Sequence, residues 1–273
     1  MSTTEKVVSH YAKGGLFKRI MEALKASGIK VGELSEKDLK PLDEFHIGGI
    51  DATIDLLKNL DIKTSTKVLD LGSGIGGLAR HITYNYNAKV TGIDLTPEFV
   101  NTAIQLTKMT GLDIEFHVAS ALDIPITDKF DILTLLHVGM NLPDKAKLFS
   151  EANRMLVPGG TFAIYDIMTV GKGNLDFPVP WASDKSSSFV DTLDSYHKES
   201  SSQSFIIKKE RNRADFALDF FQKLKEKITY QDSPSIGLHI IMGEDAKIKI
   251  NNVVKAIEDG HIAPIEIILK KPD

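Results

Sequence analysis

The apolar positions of this chain change period along its length. Over residues 15–27, Leu16, Ile20, Met21 and Leu24 recur at helical spacing, which predicts an amphipathic helix closed by Gly28. A loop through Pro41 is expected next, and then Ile50, Ile54, Leu57 and Leu60 predict a second helix. From Lys67 the pattern becomes short apolar runs, at 68–71, 88–93, 114–118, 131–136 and 161–165, separated by helical patterns at 75–85, 97–110 and 143–156. Apolar runs with helices fitting between most of them predict an α/β fold with a Rossmann-like, doubly wound parallel sheet. Pro158-Gly159-Gly160 is the expected stop and turn into the fifth strand.

Residues 170–210 break that rhythm with Gly171, Gly173, Phe177-Pro178-Val179-Pro180-Trp181 and a Ser-rich run, and they read as a lid or cap insertion. Helical spacing resumes over 214–224, a strand is expected at 227–230 and another at 264–269, with a second insertion over 232–261. The expected organisation is therefore an N-terminal helical segment, 1–60, covering the site, and a core, 61–273, carrying the two insertions.

Composition narrows the chemistry. The formal net charge of −4 offers no general cationic field for a phosphate backbone, so nucleic acid is not an expected partner. Cysteine is absent, which excludes disulfides, thiolate-ligated metals and thiolate nucleophiles. No metal site is assigned. No stretch approaches the run of about 18 apolar residues that a membrane span needs, and the N-terminus has no signal-peptide pattern, so a cytoplasmic location is expected.

The strongest motif is Val68-Leu69-Asp70-Leu71-Gly72-Ser73-Gly74-Ile75-Gly76-Gly77, a strand that opens through glycines into a helix. Such a turn brings bare backbone and helix N–H groups to a ligand. Gly72, Gly74 and Gly77 also satisfy the dinucleotide fingerprint, so an NAD-dependent oxidoreductase stays open on spacing alone. Asp70 weighs against it. A carboxylate beside the turn would repel a pyrophosphate and favour a cationic ligand such as S-adenosylmethionine, with its ammonium and sulfonium. Asp94, at the end of the second strand, can accept hydrogen bonds from ribose hydroxyls in either class of enzyme.

With these residues in view, the stretch 67–166 resembles a class I S-adenosylmethionine-dependent methyltransferase. The resemblance is carried by VLDLGSGIGG, GIDLT, the fourth strand with FDILTLLHVGMNLPDKAKLFSEANRMLVPGG, and TFAIYD. It implies a seven-stranded sheet whose last strand, expected at 264–270, is antiparallel. It implies that Asp70, Gly72, Ser73, Gly74 and Gly76 hold the methionine moiety, Asp94 and Leu95 the ribose and adenine, and that Ala121 and Leu122 flank the adenine ring. Many relatives carry an acid near Ser120, and Asp123 is the alternative candidate here. Phe45-His46-Ile47-Gly48-Gly49 is similar to a segment of sarcosine/dimethylglycine and phosphoethanolamine N-methyltransferases, which implies that Gly48 and Gly49 close over the cofactor.

Tyr11 and His137 resemble the tyrosine and histidine that close the site in the phosphoethanolamine enzymes. His137 follows the fourth strand, where open α/β sheets place ligands, whereas His81, His117 and His197 do not. His137, His46 and Tyr11 are the candidate catalytic groups, His10 is a weaker one, and Trp181 is a candidate substrate contact. The expected reaction is in-line methyl transfer to a small-molecule acceptor, with an amine nitrogen favoured and a quinone-like carbon as the alternative. The oligomeric state is not legible.

Overall fold

The computed structural model describes residues 3–230 and 236–273. Seven strands form one sheet: β1 (Lys67–Leu71), β2 (Lys89–Asp94), β3 (Glu115–Val118), β4 (Phe130–Leu136), β5 (Leu156–Thr169), β6 (Ile206–Asn212) and β7 (Ile262–Lys270). Their order across the sheet is β3-β2-β1-β4-β5-β7-β6. The first five are mutually parallel, and β7 lies antiparallel between β5 and β6. The expected antiparallel last strand is in place.

Both faces of the sheet are covered, as near-continuous apolar strands require. Leu69, Leu71, Leu133, Leu135, Phe162 and Ile164 point to one face and meet Leu148, Phe149, Ala152 and Met155 of α7 (Lys145–Met155). The alternate positions Val68, Val90 and Ile132 point to the other, against α5 (Gly77–Tyr86) and α6 (Pro97–Met109). Each fully buried side chain of this kind contributes about 1.5–3 kcal/mol. This sandwich fixes the carboxyl ends of β1, β2 and β4, from which the site is built.

Four helices precede the sheet: α1 (Thr3–Tyr11), α2 (Leu16–Ala26), α3 (Glu36–Asp43) and α4 (Gly49–Leu57). The expected loop through Pro41 is instead the helix α3. A reciprocal cap between Ser35 and Asp38 starts it, and burial of Leu39 and Leu42 holds it although Pro41 lies inside. Apolar residues of α2 and α3 pack with Ile75, Phe99 and Leu106, which lays the N-terminal segment over the glycine turn.

The two expected insertions are partly regular structure. Residues 206–210 belong to β6, which pairs with β7 at the sheet edge, so the first insertion ends earlier than its composition suggested. Its Ser-rich run, 183–204, contains a 3₁₀ turn over Lys185–Ser187 and then α8 (Leu193–Ser202), with Tyr196 and Ser200 buried. The strand expected at 227–230 is the end of α9 (Ala214–Tyr230). Residues 232–235 of the second insertion lie outside the described residues; beyond them come the short α10 (His239–Met242) and α11 (Ala246–Glu258). Val253, Ala256 and Ile257 of α11 share one apolar cluster with Ala217 of α9 and Ile262 of β7, so this segment is part of the core.

Candidate active site

The glycine turn is tied to its neighbouring strand by backbone and carboxylate together. Gly72 N–H and Ser73 N–H both donate to the Ile93 carbonyl at 2.8 Å. Asp94 Oδ2 accepts from Gly74 N–H at 2.9 Å and its Oδ1 from Thr96 N–H at 2.8 Å. Asp70 sits in register between Gly92 and Thr134 of the flanking strands, and its Oδ1 accepts from the Thr134 hydroxyl at 2.8 Å. Burial pushes the Asp70 carboxyl up to about 7, with Asp94 and Glu44 adding to the rise, and burial raises Asp94 as well.

His137 closes β4 in the left-handed conformation, at φ 54°. Its backbone N–H and its Nδ1–H both reach the Tyr165 carbonyl, at 2.7 and 3.1 Å, and its Nε2 accepts from Ile47 N–H at 3.4 Å. Burial, with His46 nearby, pulls the ring down to about 3, so it is a neutral imidazole. Four residues on, Asn141 Nδ2 donates to the Tyr11 hydroxyl at 2.9 Å, which joins α1 to the loop after β4. Tyr11 also packs edge-on against Phe45 and lies 5.6 Å from the Phe99 ring.

These elements enclose one cavity. Asp70, Gly72, Ser73, Gly74, Asp94, Leu95, Ala121, Tyr11, His46 and His137, all anticipated from the sequence, line it. Other anticipated residues stand elsewhere. A Cβ on Gly76 would lie 2.8 Å from Phe116 and 2.9 Å from Arg80, so this glycine permits packing behind the turn. A Cβ on Gly48 would strike Phe216 at 2.3 Å; Gly48 and Gly49 do not line the cavity, and they serve the approach of α4 to α9. Leu122 packs on the core beneath the β3 loop. Asp123 is not in the cavity wall, whereas Ser120 is. Trp181 is 2% exposed, donates from Nε1 to Ser188 Oγ at 2.9 Å, and belongs to the α9/α11 cluster rather than the cavity. His10 holds Pro180 O at 2.9 Å and Ser183 Oγ at 3.0 Å, which clamps α1 to the loop after β5.

Sequence reasoning missed Asp43, Glu44, Phe45, Thr96, Phe99, Asn141 and Ile241, all of which line the cavity. Glu44 stands two residues before His46 and was legible as an acid beside a histidine. Asn141 was not, because its position depends on the 3₁₀ turn over Gly139–Asn141.

The wall suits S-adenosylmethionine. Among the described residues, Ser73 Oγ and Asn141 Oδ1 are buried cavity-lining atoms with no protein partner, available to a bound ligand. Gly74 leaves open space where a Cβ would stand. Asp43, Glu44, Asp70 and Asp94 all line the cavity, and among the described residues no lysine or arginine does. Asp43 is paired with the buried Arg80 behind the wall. A ligand carrying positive charge is favoured there and a diphosphate is not.

Comparison with known proteins agrees with this geometry. Residues 69–164 match the family described as "Methyltransferase domain". Tocopherol O-methyltransferase of Arabidopsis thaliana is 39% identical over 105 residues, 37% of this chain and 30% of that protein. Phosphoethanolamine N-methyltransferase of Plasmodium falciparum is 32% identical over 134 residues, 47% of this chain and 49% of that protein. Between about a quarter and half of the length of the curated relatives is spanned by the chain. Among solved structures, Haemonchus contortus phosphoethanolamine N-methyltransferase 2 in complex with S-adenosyl-L-methionine superposes with a TM-score of 0.77 at 18% identity, over 100% of this chain and 60% of that one. The glycine motif and the family match coincide, and over residues 69–164 the chain is similar to the methyltransferase-domain family.

Proposed function

We propose that this protein transfers a methyl group from S-adenosylmethionine to the nitrogen of a small-molecule amine. The observation that carries the reading is the cavity wall, which brings four carboxylates and the rings of Tyr11, Phe45 and Phe99 together without a cationic side chain among the described residues. Carboxylates and aromatic faces both attract ammonium and sulfonium groups. In this reading Asp70, Ser73 and Gly74 hold the methionine end, Asp94 and Leu95 the ribose and adenine, and Ala121 an edge of the adenine slot. Residues 1–60 serve as the cover that excludes water, which matters for a displacement in which charge on sulfur is lost. When bound, S-adenosylmethionine supplies the electrophilic methyl group; the chain aligns the acceptor and moves its proton.

A carbon acceptor is the competing reading. The test is mass-spectrometric detection of product and of S-adenosylhomocysteine, using a panel of ethanolamine, phosphoethanolamine, glycine, sarcosine and a methylated hydroquinone. Methylation of an amine supports the proposal. Methylation of the hydroquinone alone replaces it. A cytoplasmic location and a small-molecule rather than nucleic-acid partner go with this function, and cell fractionation tests the former.

A further inference from the structure

Of the three side chains that the sequence nominates for proton transfer, two are already engaged. Tyr11 is half-buried and its hydroxyl accepts from Asn141, and desolvation holds the phenol far above its usual range. Both ring nitrogens of His137 are taken up by the backbone at Tyr165 and Ile47.

His46 is built differently. Its Nε2 lies 2.7 Å from Glu44 Oε2 and 3.0 Å from Thr53 Oγ1, and the Thr53 hydroxyl donates to the same carboxylate oxygen at 2.6 Å. A carboxylate only accepts, so Nε2 carries the hydrogen and Nδ1 keeps the lone pair. The Ile47 carbonyl stands 3.4 Å from Nδ1, where it can accept a hydrogen bond only once that nitrogen has gained a proton. Glu44 and Thr53 are both buried, which fixes the imidazole plane, and His46 and Glu44 line the cavity with Asp70.

We infer that His46 accepts the proton from the methyl acceptor, with Glu44 and Thr53 as positioning residues for its ring. The inference rests on the methyl-transfer reading and sharpens it: the acceptor enters with a proton on the atom to be methylated, as a primary or secondary ammonium. That proton passes to His46 Nδ1, and the lone pair left on nitrogen forms the new bond to the methyl carbon as the carbon–sulfur bond breaks with its electron pair going to sulfur. The imidazolium faces Glu44 on the α3–α4 connection and Asp70 on β1, both of which stabilise it. The ring of His137 at 5.8 Å is neutral, and that of Tyr165 at 6.0 Å is an un-ionised phenol. The His81–Glu36 pair lies behind Glu44. Burial works against the Glu44 carboxylate, but His46, Thr53 and His81 hold it below its usual range, so it stays charged.

Two measurements test this. Histidine-selective ¹⁵N spectra of the protein loaded with S-adenosylhomocysteine read the geometry without an acceptor. Neutral His46 is expected as the Nε2–H tautomer, and E44Q is expected to abolish that preference. An Nδ1–H tautomer, or spectra unaltered by E44Q, overturns the inference. With the probe amine that the panel shows to be methylated, H46Q is expected to lower kcat/KM by about 100-fold or more and to remove the acidic limb of its pH profile. Added imidazole should restore part of the rate, and S-adenosylhomocysteine affinity should stay within about threefold, a change of under about 0.7 kcal/mol. An H46Q protein that keeps the acidic limb, or whose loss follows its cofactor affinity, contradicts the role. If the wild type methylates no amine, it is the proposed function that fails, and the tautomer result is read separately.

Discussion

Gly72 and Val138 meet across the floor of the cavity so closely that a Cβ on Gly72 would lie 2.3 Å from Val138 Cγ2. The contact joins the glycine turn after β1 to the loop that follows β4, and Gly72 also holds the left-handed conformation at φ 75°. Gly72→Ala is therefore expected to cost about 2 kcal/mol or more, from backbone strain and overpacking together. Val138→Ala should recover about 1 kcal/mol of that in the double variant, because the clash is with side-chain atoms. Denaturant melts of the two singles and the double give the coupling directly, and strict additivity would show that the contact is not what constrains the turn.

Of the carboxyls in the cavity wall, burial raises Asp70 closest to neutral pH. Burial holds its carboxyl near 7 in the folded protein against 3.8 in an unfolded chain. Between those values the folded state keeps a proton that the unfolded state has lost, so stability falls as pH rises through that window. Asp70→Asn removes the part of this slope nearest pH 7, leaving that of Asp43 and Asp166, which burial raises to about 6, and is expected to raise the melting temperature above pH 7. A cation at the site favours the carboxylate, so wild-type affinity for S-adenosylmethionine should increase as pH rises through about 7, and Asp70→Asn should weaken it by about 10- to 100-fold. Affinity independent of pH from 6 to 8 would remove the charge from the argument.

Trp181 is a packing residue here. Trp181→Ala is expected to destabilise the fold by about 3–5 kcal/mol, whereas Trp181→Phe should cost about 1 kcal/mol through the lost bond to Ser188. Neither should change the acceptor KM of the folded fraction. A KM effect in Trp181→Phe without loss of stability would return this residue to the acceptor site.

A buried hydrogen bond behind the 3₁₀ turn supplies a further check. Tyr196 donates to Asp166 Oδ2 at 2.6 Å, and burial pushes the Asp166 carboxyl up to about 6. Tyr196→Phe strips a donor from the carboxylate, so the loss of stability should be greater above pH 6, where Asp166 is ionised, than at pH 5, reaching about 1–3 kcal/mol. Melts across pH 5–8 measure it; a loss that does not grow with pH would mean that Asp166 stays protonated.

The core of the fold was legible because β1, β2 and β4 are short, largely apolar runs bounded by turn residues, and the helices α5, α6 and α7 each carry a helical period. Asp70, Gly72, Ser73, Gly74 and Asp94, which line one cavity, were legible together because they belong to a single β1–α5–β2 unit. What sequence could not show depends on contacts distant along the chain. β6 reads as polar, Ile206-Ile207-Lys208-Lys209-Glu210, because it is an edge strand with one side in solvent. α11 looked like part of an insertion because its apolar face is seen only against α9 and β7. Trp181 has the composition of a binding aromatic, and only its burial and its bond to Ser188 assign it to packing. Gly48 and Gly76 read as cofactor glycines, yet what each admits is a neighbouring side chain, Phe216 or Phe116. The sequence favoured His137 over His46 by its place after the fourth strand, and only the partners of each ring, Glu44 and Thr53 at His46 and backbone at His137, reverse that order.

The selection of a cationic sulfur donor by a carboxylate-lined cavity is tested most directly by titration calorimetry of the full chain with S-adenosylmethionine, S-adenosylhomocysteine and NADH at pH 7.5. S-Adenosylmethionine and S-adenosylhomocysteine are expected to bind, with the sulfonium form the more weakened in Asp70→Asn, and NADH to give no saturable heat. Saturable binding of NADH, with wild-type and Asp70→Asn proteins equal towards S-adenosylmethionine, would contradict it.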